Sequence, residues 1–302
     1  MVIVSLSGGL GNQMFQFSSA YALAKRNNAL LTIDISQFDK SDRSHVVCML
    51  DNFSLKNNTV KISTNTSWKI ALKLGLIFKV PYIISFKFKK VFKVIIEESV
   101  SYSEDIDTLL SGNLFITNSQ LQSYKYFHSM KNDIVNLFKV NNDIVNLFKV
   151  NDKLKKYRLK EKTRVLSMHI RKGDYKLSDS PMFSLSEDYY INAYKYVVSN
   201  FEAIDCIYLF TDDVVWVKKN MLNLFKICCQ ILIIEEEFKD ISAVESLYIM
   251  SNCELSIISN SSFSWWGAYL GKEKEVVVAP STWFGDNRIH NIIPENWISL
   301  PG

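Results

Sequence analysis

Four side chains able to do chemistry stand close together in Met168-His169-Ile170-Arg171-Lys172-Gly173-Asp174-Tyr175: an imidazole, a guanidinium, an ammonium and a carboxylate. The apolar run Val165-Leu166-Ser167-Met168 leading into them predicts a buried strand. A cationic pair at the carboxyl end of a strand in an α/β sheet sits where phosphate-bearing ligands bind. The stretch therefore reads as the diphosphate clamp of an enzyme that uses a nucleotide sugar. Arg171 can hold a phosphate oxygen bidentately and stays charged at any working pH, whereas Lys172 offers only a point charge.

Three more stretches follow predicted strands in the same way. Thr211-Asp212-Asp213 closes an apolar run, and either carboxylate could accept the paired N–H donors of guanine, Asp213 being favoured, or cap the next helix. Two carboxylates beside a phosphate could also hold Mg²⁺, but Arg171 already supplies the counter-charge and no metal is expected. Ser261, Ser262, Phe263 and Ser264 stand where a loop enters a helix, a place suited to phosphate binding, to ordinary N-capping, or to both. Phe263, Trp265 and Trp266 read as packing residues, with one aromatic available to stack on the base. Near the start, Gly8-Gly9-Leu10-Gly11-Asn12-Gln13 lacks the Lys-Ser/Thr of a P-loop and the GxGxxG spacing of a dinucleotide fingerprint. Gly8, Gly9 and Gly11 let a ligand approach the backbone, and Asn12 and Gln13 could bond a diphosphate or a sugar hydroxyl.

The elements that must carry these residues alternate. Residues 1–6 and 30–35 predict strands around a helix bearing Met14, Phe17, Tyr21 and Ala24, the opening of a doubly wound domain. In the second half, strands at 165–170, 206–210, 230–234, 255–258 and 275–279 alternate with helices at about 186–200, 214–220, 240–252 and from 263. The charge-dense run 153–164 places a boundary at 149–162, giving an N-terminal domain over 1–152 and a C-terminal one over 163–302. Between Asn52 and Ile96 there are nine lysines and no acidic residue, and over 68–96 the lysines interleave with apolar residues around Pro81. Two amphipathic helical segments are expected there, either packed on the core or lying on anionic lipid. Asn132–Asn141 is repeated residue for residue at 142–151. One tandem copy is too few for a solenoid, so it is expected to lengthen the connection without touching the chemistry.

Composition bounds the rest. The chain has 302 residues, 48% hydrophobic and 22% charged, which suits one or two globular domains. Five cysteines with no CxxC spacing point to a reducing compartment and no structural metal. The first residues read as a strand and not as a leader, no run is long enough to span a bilayer, and no nucleic-acid-reading module is present.

Taken together, GGLGNQMFQ, HIRKGDY, LFTDD, SNSSFSWWGAYL and VVAPSTWF closely resemble, in order and spacing, the bacterial α-1,2-fucosyltransferase family, as does the segment Leu121 to Phe127. The chain departs from that pattern in having Lys172 where a second arginine is usual, and Ser281-Thr282 where basic residues are frequent. The resemblance implies a GT-B α/β fold, two Rossmann-like domains facing a cleft, and inverting transfer of L-fucose from GDP-β-L-fucose to the 2-hydroxyl of a galactose. It implies donor contacts from His169, Arg171, Lys172, Asp213, Ser261, Ser262, Phe263, Ser264, Gly9 and Gly11, with Arg171, Asp174 and Asn12 nearest the chemistry. Asp174 would be either the general base or a brace for Arg171. The expected partners are GDP-fucose and a galactose-terminated, lipid-linked oligosaccharide, with no cofactor, no divalent metal and no nucleic acid. The expected place is the cytoplasm, with peripheral attachment to the inner membrane face as an option.

Overall fold

The computed structural model describes residues 1–35, 38, 48–53, 55, 60–63, 82–85, 90–95, 101–109, 113–117, 119–140, 147–155, 164–172, 183–201, 204–223, 225, 229–271, 274–286 and 290–302. The chain divides into two compact units, Met1–Lys139 with Ile289–Ile292, and Val140–Arg288 with Ile293–Gly302. Each is built on a six-stranded sheet.

In the first unit the strands are β1 (Val2–Ser5), β2 (Leu31–Asp34), β3 (Val60–Ser63), β4 (Tyr82–Ser85), β5 (Lys90–Ile95) and β6 (Asn113–Ile116). Their order is β3-β2-β1-β6-β5-β4, parallel throughout except that β4 runs antiparallel to β5 at the edge. Helix α1 (Leu10–Arg26) follows β1 and is buried along nearly its whole length, with Met14, Phe15 and Phe17 fully enclosed. Shorter helices α2 (Glu104–Asp107) and α3 (Lys131–Leu137) complete this unit. The backbone of β4 and β5 corrects the helical expectation for the lysine-rich stretch, because short apolar runs fit either period and here they pair as a hairpin. Residues 64–81 and 86–89, which include most of that stretch, lie outside the described residues.

The second unit contains helix α4 (Leu147–Lys155), strands β7 (Val165–Ile170), β8 (Cys206–Thr211), β9 (Gln230–Ile233), β10 (Leu255–Ile257), β11 (Val276–Pro280) and β12 (Ile298–Leu300), and helices α5 (Glu187–Asn200), α6 (Val214–Asn220), α7 (Ile234–Glu237), α8 (Ala243–Ser251) and α9 (Ser262–Tyr269). All strands are parallel in the order β12-β11-β10-β7-β8-β9. Side chains alternate across the sheet. Leu166, Met168, Ile170, Ile207 and Leu209 enter a core with α5, while Val165, Cys206, Tyr208 and Phe210 enter one with α4 and α8. A sheet covered on both faces needs strands that are apolar at every position, and β7 and β8 are buried throughout. Ser186 caps α5, and Ser242 with Glu245 forms a capping box on α8, so both helices start where their polar signals stand.

The unit boundary falls ahead of the charge-dense stretch expected to mark it. Val150 and Leu154 of α4 pack into the core of the second unit, which draws that helix across. The two copies of the repeat are thereby separated. The first forms most of α3, with Ile134 and Phe138 buried in the first unit, and the last residues of the second copy open α4. Leu137 ends one helix while its counterpart Leu147 begins the other, so identical residues take different helical registers as their surroundings dictate. No helix among the described residues is long and apolar enough to cross a membrane.

Candidate functional site

In the sheet of the second unit the chain winds outward from β7 through β8 to β9, then returns to the other side of β7 with β10. The carboxyl ends of β7, β8 and β10 are thus neighbours, and the reversal between β7 and β10 is where open α/β sheets bind ligands. Three of the stretches singled out by their residue types meet at this edge.

His169 is enclosed at the end of β7, and its Nδ1 lies 2.8 Å from the Ser259 hydroxyl, which itself lies 3.5 Å from that of Ser264. The edge of Phe263 closes over the ring at a centroid distance of 5.9 Å. Burial, and then the charge of Arg171, lower the His169 pKa to about 3. The imidazole is therefore neutral and offers one N–H and one lone pair, a recognition group and not a cation.

Arg171 keeps about a third of its side chain exposed and sets Nε 3.1 Å from Oδ2 of Asp212. The other oxygen of that carboxylate accepts the backbone N–H of Lys172 at 2.8 Å. Asp212 thus braces the clamp loop at two points, a role the sequence did not assign to it. Asp213, the carboxylate favoured for base reading, caps α6 by accepting the Trp216 N–H at 2.9 Å. A signal for this division is present in the sequence: an Asp directly before a helix start is a natural N-cap, which leaves its neighbour for another partner.

Lys172 corrects the expectation of a second donor-binding cation. Its ammonium is buried, donates to the Leu185 carbonyl at 2.7 Å and lies 4.2 Å from the centre of the Trp216 ring. A buried ammonium has to take such partners to offset its lost hydration. Gly173 and Asp174 lie outside the described residues.

Ser261 is the N-cap of α9, and its side chain makes no capping hydrogen bond, so its hydroxyl does not compete for a helix start of the kind that suits an anion. Ser262 and Phe263 are half-buried, and Ser264 turns its hydroxyl back to the Ser261 carbonyl at 3.3 Å. Trp265 and Trp266 are fully enclosed packing residues, as their apolar surroundings predict. Among the described residues no group of three or more His, Cys, Asp or Glu side chains is placed to hold a metal ion.

Glu235, at the start of α7, was not singled out in the sequence. Its Oε2 accepts the Thr211 N–H at 3.1 Å, tying the end of β8 to α7. Burial pushes its carboxyl up to about 7, and the negative charge of Asp212 adds to the rise. Its proton is lost near 4.5 in the unfolded chain but near 7 in the folded one. The stability it contributes is therefore complete below the lower value and lost as pH rises through the upper. His169 acts in the opposite sense: its contribution is complete above 6.5 and is lost as pH falls toward 3. Glu235→Gln keeps an acceptor for Thr211 and should flatten the fall in Tm between about pH 4.5 and 7. An unchanged slope in thermal melts of the variant would show that another group carries it.

In the first unit, the Gly-rich turn leads from β1 into α1. Gly8 has φ +74°, and a Cβ there would lie 2.8 Å from the Asn12 amide nitrogen, so this glycine is required by both conformation and space. Gly9 faces open space as the N-cap of α1, and Gly11 lies in the helix itself. Gln13 does not offer its amide to a ligand, since it is buried, donates to the Gly8 carbonyl at 2.9 Å and accepts the Met49 N–H at 3.0 Å. Gln16 braces the turn through the backbone N–H and hydroxyl of Ser7. Asn12 meets a residue from outside the turn, accepting a hydrogen bond from Gln122 Nε2 at 2.8 Å.

A family model described as glycosyl transferase family 11 matches residues 1–301. An α-1,2-colitosyltransferase of Escherichia coli is 28% identical over 99% of both chains. The O-antigen biosynthesis glycosyltransferase WbnK of Escherichia coli is 30% identical over 98% of this chain and 99% of its own. Among solved structures, the NodZ α-1,6-fucosyltransferase soaked with GDP-fucose matches with a TM-score of 0.55 at 12% identity, covering 94% of this chain and 96% of its own. That likeness shows the fold, which is the GT-B type expected.

Proposed function

The chain belongs to glycosyl transferase family 11, and from that membership we propose that it moves L-fucose from GDP-β-L-fucose to the 2-hydroxyl of a galactose, with inversion. The observation that carries this reading is the convergence at the end of β7. A guanidinium braced by Asp212, a neutral imidazole and a hydroxyl-rich helix start share one sheet edge.

As the sugar leaves, negative charge grows on the departing GDP. A cation already held in place stabilises that charge more in the transition state than in the ground state, without reorganising at the moment of reaction. Arg171 is that cation, and the α9 start adds backbone N–H groups for the phosphates. With this counter-charge supplied by the protein, transfer runs without a divalent metal. His169, being neutral, reads the guanine edge by hydrogen bonding. Asp212 already serves as the brace for Arg171, which favours Asp174 as the base that takes the acceptor proton. The acceptor is a galactose-terminated oligosaccharide of a surface polysaccharide, carried on lipid at the cytoplasmic membrane face. The relative named for O-antigen biosynthesis supports that class of product.

The relative named a colitosyltransferase favours a second donor, since colitose is fucose without its 3-hydroxyl. A site that bonds that hydroxyl rejects the deoxy sugar by about 10⁴-fold or more, whereas one that only encloses it discriminates weakly. Purified enzyme should release GDP from GDP-fucose with a β-galactoside acceptor, equally well with and without EDTA. Turnover of GDP-colitose alone would replace fucose as the donor, and loss of activity in EDTA would overturn the metal-free mechanism.

A further inference from the structure

We propose that Gln122, held by Asn12, forms a sugar-binding site in the first unit and positions the acceptor residue through one of its hydroxyls. This rests on the transferase reading above and names the residue that selects the acceptor.

In the sheet of the first unit the reversal lies between β1 and β6, so the loops following these strands form its ligand-binding edge. They are the Gly-rich turn and the segment after Ile116. Asn12 joins them by accepting from Gln122 Nε2, and Ser19 supports the second loop by donating to the Leu121 carbonyl at 3.4 Å. Leu121 is buried at φ +51°, a backbone state unfavourable for leucine, and it sets the direction in which Gln122 leaves the chain.

The amide of Gln122 is thereby divided. Its nitrogen is engaged, while its carbonyl oxygen has no partner among the described residues and is not a buried atom. An oriented acceptor that reaches solvent is suited to receive a hydroxyl proton. The hydroxyl of Thr117, at the end of β6, is buried and also without a partner among the described residues. Neither loop carries an ionisable side chain from Ser5 to Gln13 or from Thr117 to Ser123. The nearby carboxylate of Asp34 takes the Ser5 hydroxyl at 3.2 Å. Within these two loops a phosphate finds no cation, in contrast with the edge holding Arg171, whereas neutral amides and hydroxyls match the hydroxyls of an uncharged sugar.

Initial rates of Gln122→Ala test this. The KM for a β-galactoside should rise about tenfold, the worth of one well-placed hydrogen bond. The KM for GDP-fucose should rise by much less than that for the acceptor. Against a panel of monodeoxygalactosides, the penalty should vanish for the one lacking the hydroxyl that Gln122 binds, whereas merely structural damage would penalise every acceptor alike. Gln122→Met, of similar volume, gives the same readout if the alanine variant does not fold. An unchanged acceptor KM, a uniform penalty across the panel, or an equal rise in donor KM would overturn the assignment. If the wild type transfers nothing from GDP-fucose, the transferase reading fails separately. NMR titration of wild type and variant with methyl β-galactoside then still decides whether Gln122 binds a sugar.

Discussion

Arg171→Ala should lower kcat/KM for transfer by about 100-fold to 1,000-fold, the usual cost of removing a preorganised group that stabilises transition-state charge. The side chain is partly exposed and its loss leaves no cavity in the core, so the variant should fold. Arg171→Lys should recover little. An ammonium can restore a point charge but not a planar fork that meets Asp212 through Nε and, in the proposed mechanism, a phosphate through its other nitrogens. Initial rates with GDP-fucose and a galactoside measure this directly, and near-normal turnover in either variant would remove the guanidinium from the mechanism. The position of the effect is informative too. A loss confined to the donor KM would make Arg171 a ground-state binder, whereas a loss in kcat places its interaction in the transition state.

Asp212→Ala should cost about 10- to 100-fold, through misplacement of the clamp and not through loss of a group that meets the substrate. The carboxylate holds the Arg171 Nε and the Lys172 backbone N–H together, so two adjacent anchor points after β7 are lost at once. The discriminating measurement is a double-mutant cycle. If Asp212 acts only by holding Arg171, then the Arg171→Ala, Asp212→Ala double variant should be little worse than Arg171→Ala alone. Losses that multiply would show that the two residues act independently and would end the bracing account. Asp212→Asn refines the test, because it keeps an acceptor for the Lys172 N–H and removes only the charge opposite Arg171.

Much of the second unit was legible from its residues. β7 and α6 fall on the expected limits, and β8 and β9 fall within a residue of them. The apolar runs of β7, β8 and β9 give way to Arg171, Asp212 and Glu235, so apolar patterning and polar boundaries agree. The first unit was less so. β3, β4 and β5 are short and lie in a lysine-rich segment whose apolar spacing suits a helix as well as a hairpin. Such strands exist because a neighbour completes their hydrogen bonds, and the partners that join β3 and β5 to the sheet, β2 and β6, lie outside the segment. The same limit applied at the site. Asp212 and Asp213 are equivalent by type, and only the capping of α6 and the reach to Arg171 separate them. Lys172 reads as a second clamp cation until the Trp216 ring and the Leu185 carbonyl are found around its ammonium.

By itself, then, the sequence determined the α/β class, the doubly wound second unit, the family and the four strand-end stretches that carry polar chemistry. These are properties of short windows, where the order of apolar, turn-forming and ionisable residues is sufficient. The tertiary structure decided which of those residues stand at the open sheet edge and which hold a neighbour in place. His169 meets Ser259 across 90 positions, Lys172 meets Asp212 across 40, and Gln122 meets Asn12 across 110. Each pairing is set by which strands lie side by side, and that order arises from packing the whole sheet.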